Sequence, residues 1–188
     1  MISWLAKRFK AVEGLSDYIL VKMAKRGDCD AFGKIYLKYL DGIYRYIYFR
    51  VNQNEQTAED LAETVFFRAW NHIKVFDENS GTLKSWLYRI AHNAVIDHFR
   101  DNRKQVTLEE GLVEEKVSLE EKIIQNFELR ELAQAINKLT DEQKQVITLR
   151  FIEDMTNDEI AKIVNKKEDA IRALQSRALK KLRNLLVK

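Results

Sequence analysis

The sequence predicts an all-α protein, and three observations carry that prediction. The 188-residue chain has no proline and only six glycines, so little in it is obliged to interrupt a helix. Apolar residues recur at three- and four-residue spacing along most of its length, the period of helices buried on one side. Two capping boxes, Thr140-Asp141-Glu142-Gln143 and Thr156-Asn157-Asp158-Glu159, start helices sixteen residues apart. Composition sets further bounds. At 46% hydrophobic and 32% charged the balance is globular. The formal net charge is only +3, so nucleic-acid contact requires local clustering of basic residues. A single cysteine, Cys29, excludes an intramolecular disulfide and a cysteine-based zinc cluster, and reads as a small apolar filler.

Residues 1–16 form an N-terminal extension. Met1 to Lys10 mixes apolar and basic residues without the apolar core of a signal peptide, and reads as a loosely docked segment. No apolar run approaches the roughly 20 residues needed to span a bilayer, so the expectation is a cytoplasmic protein with no stable membrane insertion.

The first domain is expected at 17–104. A short helix runs from Tyr18 to Arg26 and closes near Gly27. A second, from Asp30 to Val51, buries Phe32, Ile35, Tyr36, Tyr39, Ile43, Tyr44, Ile47 and Tyr48. After a polar turn at Asn52 to Gln56, Thr57, with Asp60 three residues on, caps a third helix through Leu61, Val65, Phe66, Ala69 and Ile73. Phe76 to Thr82 is a loop. Leu83 to Asn102 is a fourth helix with Trp86, Leu87, Ile90, Ala91, Ala94, Val95 and Phe99 inward.

The stretch 105–122 changes character, with six glutamates against Lys116 in 105–121. Like charges at that density favour an extended, solvated linker. The second domain is expected at 123–188. Its first capped helix has an apolar side made of Val146, Ile147, Leu149, Phe151 and Ile152. The next carries Ile160, Ala161, Ile163 and Val164 and stops at Asn165, a residue that tolerates the left-handed conformation. The last starts near Glu168, with Ile171, Leu174, Ala178, Leu182 and Leu185 on one side. From Lys166 to Lys188 there are eight basic residues against two acidic. A solvated charged face would look like this, but a tight turn before a one-sign outer face favours a helix-turn-helix entering the major groove.

No catalytic set emerges. His72, His92 and His98 are scattered away from zinc-ligand spacing, and Gly27, Gly33 and Gly42 make no phosphate-binding pattern. The serines lack an evident base. The expectation is a protein that is not an enzyme, with no metal and no cofactor. The fourth helix instead offers a polar stripe, with Arg89, Asn93, Asp97 and Arg100 at steps of four, four and three. Asn can pair with a base edge and Arg with phosphate or guanine. The same spacing also allows plain intrahelical pairing of Asp97 with Asn93 and Arg100.

At these residues the chain resembles the extracytoplasmic-function (ECF, group IV) sigma factors of bacterial RNA polymerase. Ala58-Glu-Asp-Leu61, Phe66-Phe-Arg-Ala-Trp70, Phe76-Asp77, Trp86-Leu-Tyr-Arg-Ile-Ala91, Asn93 and Ile96-Asp97 resemble their region 2. Leu139, Gln143, Val146, Leu149-Arg-Phe151, Glu159-Ile-Ala161 and the terminal helix resemble their region 4.

The resemblance implies two small helical domains joined by an acidic linker, binding core RNA polymerase and directing promoter recognition, promoter opening and transcription initiation. It implies core binding through Asp60, Leu61, Glu63 and Thr64, where Glu63-Thr64 replaces the family's usual Gln-Glu. It implies minus-10 contacts from Asp77, Asn79, Ser80 and Thr82, which would capture an unstacked base, and from Arg89, His92, Asn93, Asp97 and Arg100. His92 stands where Arg is commoner, and Trp86 reads as core rather than as a melting wedge. Minus-35 contacts would come from Lys167, Arg172, Ala173, Ser176, Arg177 and Lys180. Two departures lie in this unit: Lys166 follows the turn where an apolar residue is usual, and Leu174-Gln175 inverts the usual polar and apolar order. Family analogy adds promoter DNA and an anti-sigma factor as partners, the latter able to hold the chain at the inner face of the membrane. The rival readings are a dimeric free-standing regulator and a protein-binding adaptor.

Overall fold

The computed structural model describes residues 16–106 and 127–186. Residues 1–15 of the expected extension and 107–122 of the expected linker lie outside them. Among the described residues the regular structure is helical throughout.

Four helices make the first half: α1 (Asp17–Lys25), α2 (Cys29–Arg50), α3 (Glu55–His72) and α4 (Leu83–Val106), with a 3-10 turn at Ile73–Val75. The second half holds α5 (Phe127–Asn137), α6 (Asp141–Ile147), α7 (Asn157–Val164) and α8 (Glu168–Leu186). Local chemistry sets their starts. The Asp28 side chain accepts from Ala31 N at 3.0 Å and caps α2. Both expected capping boxes are formed, at Thr140 with Gln143 and at Thr156 with Glu159. Asn165 takes the left-handed conformation (φ 54°) and ends α7 as expected.

Three local expectations are corrected. Asn54, not Thr57, caps α3, accepting from Thr57 N at 2.8 Å. Asn52 and Gln53 both sit at positive φ and reverse the chain early, so the first extended residue able to cap is Asn54. The fourth helix continues past Asn102 to Val106. The helix after Thr140 ends at Ile147 and widens into a π turn at Thr148–Ile152, which swings Phe151 out to 57% exposure instead of into the apolar side.

In the first half α2 packs against α1 and α3, and α3 against α4; in the second, α6, α5 and α7 gather on α8. The two halves are not separate bodies. α4 packs on α7, and α2 packs on α5, α6 and the π turn. One contiguous buried cluster runs from Ile35, Ile47, Val65 and Leu87 into Leu149, Met155, Ile160 and Ile171. A smaller one joins Ile136, Leu139, Ile147, Ala178 and Leu182, with Phe49 of α2 resting on it.

Candidate polymerase and nucleic-acid interfaces

Three surfaces gather the residues singled out in the sequence. The first is the outer face of α3. Asp60 and Glu63 lie one turn apart and are exposed, while Leu61 is half-buried against the core. Asp60 Oδ1 accepts from Gln56 Nε2 at 3.1 Å, and the Thr64 hydroxyl donates to the Asp60 carbonyl at 2.9 Å, spending itself within the helix. Beside this face a groove is lined by Tyr36, Leu40, Asp41, Tyr44, Glu59 and Glu63. Tyr44 stacks on Tyr48 with ring centroids 5.9 Å apart. Burial first, then the carboxylates of Glu55 and Glu59, pushes the Tyr44 phenol above its ordinary range. The surface is therefore acidic and aromatic, suited to a basic, partly apolar partner.

The second surface is built from the loop after Phe76 and one side of α4. Phe76 is buried with its ring 5.0 Å from that of Trp86, anchoring the loop. Asp77 Oδ1 accepts from the Asn79 backbone N–H at 3.0 Å and from Asn79 Nδ2 at 3.1 Å, and Ser80 Oγ donates to the Asp77 carbonyl at 2.7 Å. Thr82 Oγ1 accepts from Ser85 N at 3.1 Å and so caps α4. Asp77, Asn79, Ser80 and Thr82 are all exposed, yet Asp77 and Thr82 are also what holds the loop in shape.

On α4, Arg89, Asn93 and Arg100 are exposed. Asp97 pairs with Arg100 Nη2 at 3.0 Å and with Arg68 Nη1 of α3 at 3.0 Å, so the intrahelical reading is realised for Arg100 and reaches one helix further. Arg68 was given no role from the sequence; its partner lies 29 residues away, beyond any local spacing signal. Together with Val75, Trp86, Arg89, Ile90 and Asn93, Arg68 and His72 line a hollow. Trp86 is half-buried, one side on Phe76 and the other on this hollow.

His92 stands apart from the stripe. It turns under the second half of the chain, where the Gln145 amide donates to its Nδ1. Burial, with a smaller push from the Arg50 guanidinium, lowers its pKa to about 4.

The third surface is α8. Ile171, Leu174, Ala178 and Leu182 are buried, and Lys167, Arg172, Ala173, Ser176, Arg177 and Lys180 are all exposed along the opposite side. Arg172 pairs with Glu168 at 2.7 Å and Asp169 at 3.4 Å, and Arg177 Nε donates to the Ala173 carbonyl at 3.2 Å. Both departures of this unit have a local reason. Lys166 Nζ reaches Glu142 at the start of α6, at 2.8 Å, so the residue after the turn ties two helices by charge. Gln175 Nε2 donates to Asn157 Oδ1 at 2.7 Å and ties α8 to α7 while Leu174 fills the core.

Two family models match, Sigma-70 region 2 over residues 35–105 and Sigma-70 region 4 over residues 135–184. SigW of Bacillus subtilis, an ECF RNA polymerase sigma factor, is 36% identical over 157 residues, covering 77% of this chain and 83% of its own. The chain belongs to the ECF sigma factors. BldN of Streptomyces coelicolor, another, is 39% identical over 89% of this chain, which spans 64% of that relative's length.

Among solved structures, this sigma factor superimposes on RpoE of Bartonella quintana, in complex with the anti-sigma factor NepR, with a TM-score of 0.75 at 24% identity, over 82% of this chain and 96% of that one. It superimposes on CnrH, in complex with the cytosolic domain of CnrY, with a TM-score of 0.68 at 25% identity, over 90% and 96%. Region 2 of this sigma factor thus comprises α2 to α4, and region 4 the helices from α5 to α8.

Proposed function

We propose that this sigma factor binds core RNA polymerase and directs it to promoters bearing separated minus-10 and minus-35 elements. Core docks on the α3 face of Asp60, Leu61, Glu63 and Thr64, whose acidic groove fits a basic partner surface. The loop from Asp77 to Thr82 receives an unstacked base of the minus-10 element, while Arg89, Asn93, Arg100 and Arg68 follow its backbone. Unstacking costs a few kcal/mol, and a loop already fixed by Asp77 and Thr82 loses little further entropy on capture. α8 enters the major groove at minus-35 with Arg172, Arg177, Lys167 and Lys180 on phosphates and base edges and Ala173 and Ser176 close to the bases.

The observation that carries the reading is the placement of two DNA-suited surfaces, one in each region, on a chain whose third surface is acidic. DNA grips on one side and a polymerase dock on another are what an initiation factor needs, and no catalytic step falls to the chain itself. An anti-sigma partner is part of this proposal by family analogy, RpoE having been solved with the anti-sigma factor NepR. No helix among the described residues is long and apolar enough to cross a membrane.

Run-off transcription with purified core polymerase on a promoter library tests the proposal. The expected result is a set of transcripts that share two spaced motifs. No promoter-specific transcript, together with binding to palindromic sites in the absence of polymerase, would overturn it in favour of a free-standing regulator.

A further inference from the structure

Region 4 lies across region 2, and the contact is centred on one carboxylate. Glu153, at the end of the π turn, is 6% exposed. Its side chain accepts from the Tyr88 hydroxyl of α4 and, at 3.2 Å, from Arg45 Nε of α2, while its backbone carbonyl accepts from Lys84 Nζ. The pocket exists because position 42 is glycine. A Cβ there would stand 2.8 Å from Glu153 Oε2 and 2.5 Å from the Tyr88 hydroxyl oxygen, closer than such atoms approach. At the far end of the same contact, Arg50 Nη1 donates to the Asp141 carbonyl and Lys144 Nζ to Asn52 Oδ1 at 2.7 Å.

Two features mark this contact as able to part, although one apolar cluster runs through it. Glu153, Arg50 and Lys144 are charged groups buried by the closure itself, and Arg50 Nε is left without a hydrogen-bond partner. Water satisfies such groups when the halves part, which offsets part of the apolar burial lost around Leu149, Met155 and Ile160. The closure also walls off one side of the minus-10 surface. α7 lies against α4, and Lys162, Ile163 and Asn165 form the opposite wall of a crevice that holds Arg89, His92 and Asn93. A DNA strand cannot track those α4 residues until that wall moves.

We propose that the closed packing is an autoinhibited state of this sigma factor, latched by Glu153 seated in the Gly42 notch, and that region 4 must leave region 2 before the minus-10 element is bound. The inference rests on the promoter-binding reading above for its consequence, but the latch itself is tested without polymerase.

In a Cys29→Ser background, spin labels on the exposed positions Asn71 (as Asn71→Cys) and Lys181 (as Lys181→Cys) report the distance between the halves. Wild type is expected to give one narrow, short distance. Glu153→Lys, which puts a cation against Arg45 and Lys84, is expected to give a broad, longer distribution. Gly42→Ala is expected to do the same from the other side of the contact, its Cβ displacing the Glu153 carboxylate and the Tyr88 hydroxyl together.

Both variants should retain the helical circular dichroism of wild type. Both should bind a forked minus-10 oligonucleotide, taken from a promoter found by run-off transcription, roughly tenfold tighter than wild type without polymerase. An open distribution in wild type, or wild-type distances in both variants, would overturn the latch. Open variants with unchanged oligonucleotide affinity would overturn its inhibitory role. A wild type that yields no promoter-specific transcript overturns the sigma-factor reading instead, whatever the distances show.

Discussion

Asp77, Thr82, Arg172 and Arg177 illustrate how single side chains divide between holding a surface and presenting it. Asp77 and Thr82 hold: each spends its oxygen on a nearby backbone N–H. Thr82→Ala removes a cap and is expected to cost about 1 kcal/mol of stability. It should also slow promoter opening by more than that loss explains, because an unfixed loop must be ordered at the moment of base capture. Thermal unfolding set beside permanganate footprinting of the opened region measures both; full opening at wild-type rate would refute the role of the cap.

Arg172 and Arg177 present. Their partners lie within α8 itself at exposed positions, where such pairs contribute only about 0.3–0.5 kcal/mol. Arg172→Ala or Arg177→Ala should therefore leave the fold intact while lowering initiation from minus-35-dependent promoters by about tenfold to a hundredfold, the worth of one lost groove contact. Core binding should be unchanged, and an equal loss of core binding in a pull-down would count against the assigned face.

Among the helices, α3 and α8 each separate a buried side from a working side, and the spacing of their apolar residues alone is enough to draw that line. Ala58, Ala62, Val65, Phe66 and Ala69 fill the core from α3, leaving Asp60 and Glu63 outside. Because those carboxylates make no contact that the core depends on, Asp60→Ala is expected to weaken holoenzyme assembly without lowering the melting temperature. Undiminished co-purification with core would reject that dock.

The two capping boxes, the Asn165 stop and the basic face of α8 were legible because each is set by residues within a few positions. The second partner of α2 was not. Gly42, Tyr46 and Arg50 recur every four residues on the same side as Ile35 and Ile43, and Tyr46 is fully buried. A helix that is aromatic on more than one side announces a second partner, but the partner, α6 with the π turn, lies about a hundred residues away. Arg50, Lys144 and Glu153 also looked like ordinary surface charges, since nothing local marks a charge as buried. Phe151 failed for a related reason: the wider π turn changes the phase that a 3.6-residue period assumes.

For the whole molecule, the closed packing makes a pH dependence that either half alone would lack. Gln145 of α6 bridges the two regions, donating to the Tyr46 hydroxyl at 3.2 Å and to His92 Nδ1, so the closed state requires that nitrogen unprotonated. The charged groups beside His92 are cations: Arg50 of α2, Arg89 on its own helix and Lys162 of α7. Burial and Arg50 hold its pKa at about 4 when closed, against an ordinary 6.5.

A group whose pKa is depressed by closure opposes closure once it can take up a proton. The closed state is therefore fully favoured above pH 6.5 and loses ground as pH falls from there towards 4. The label-to-label distance of the wild-type chain should lengthen over that window. His92→Gln, which keeps a hydrogen-bonding side chain but cannot charge, should flatten the response while remaining closed at neutral pH. Glu153→Lys should be open at both ends of the window. An unchanged pH response in His92→Gln would assign the transition to other groups and remove His92 from the closure, while leaving the Glu153 contact to its own test.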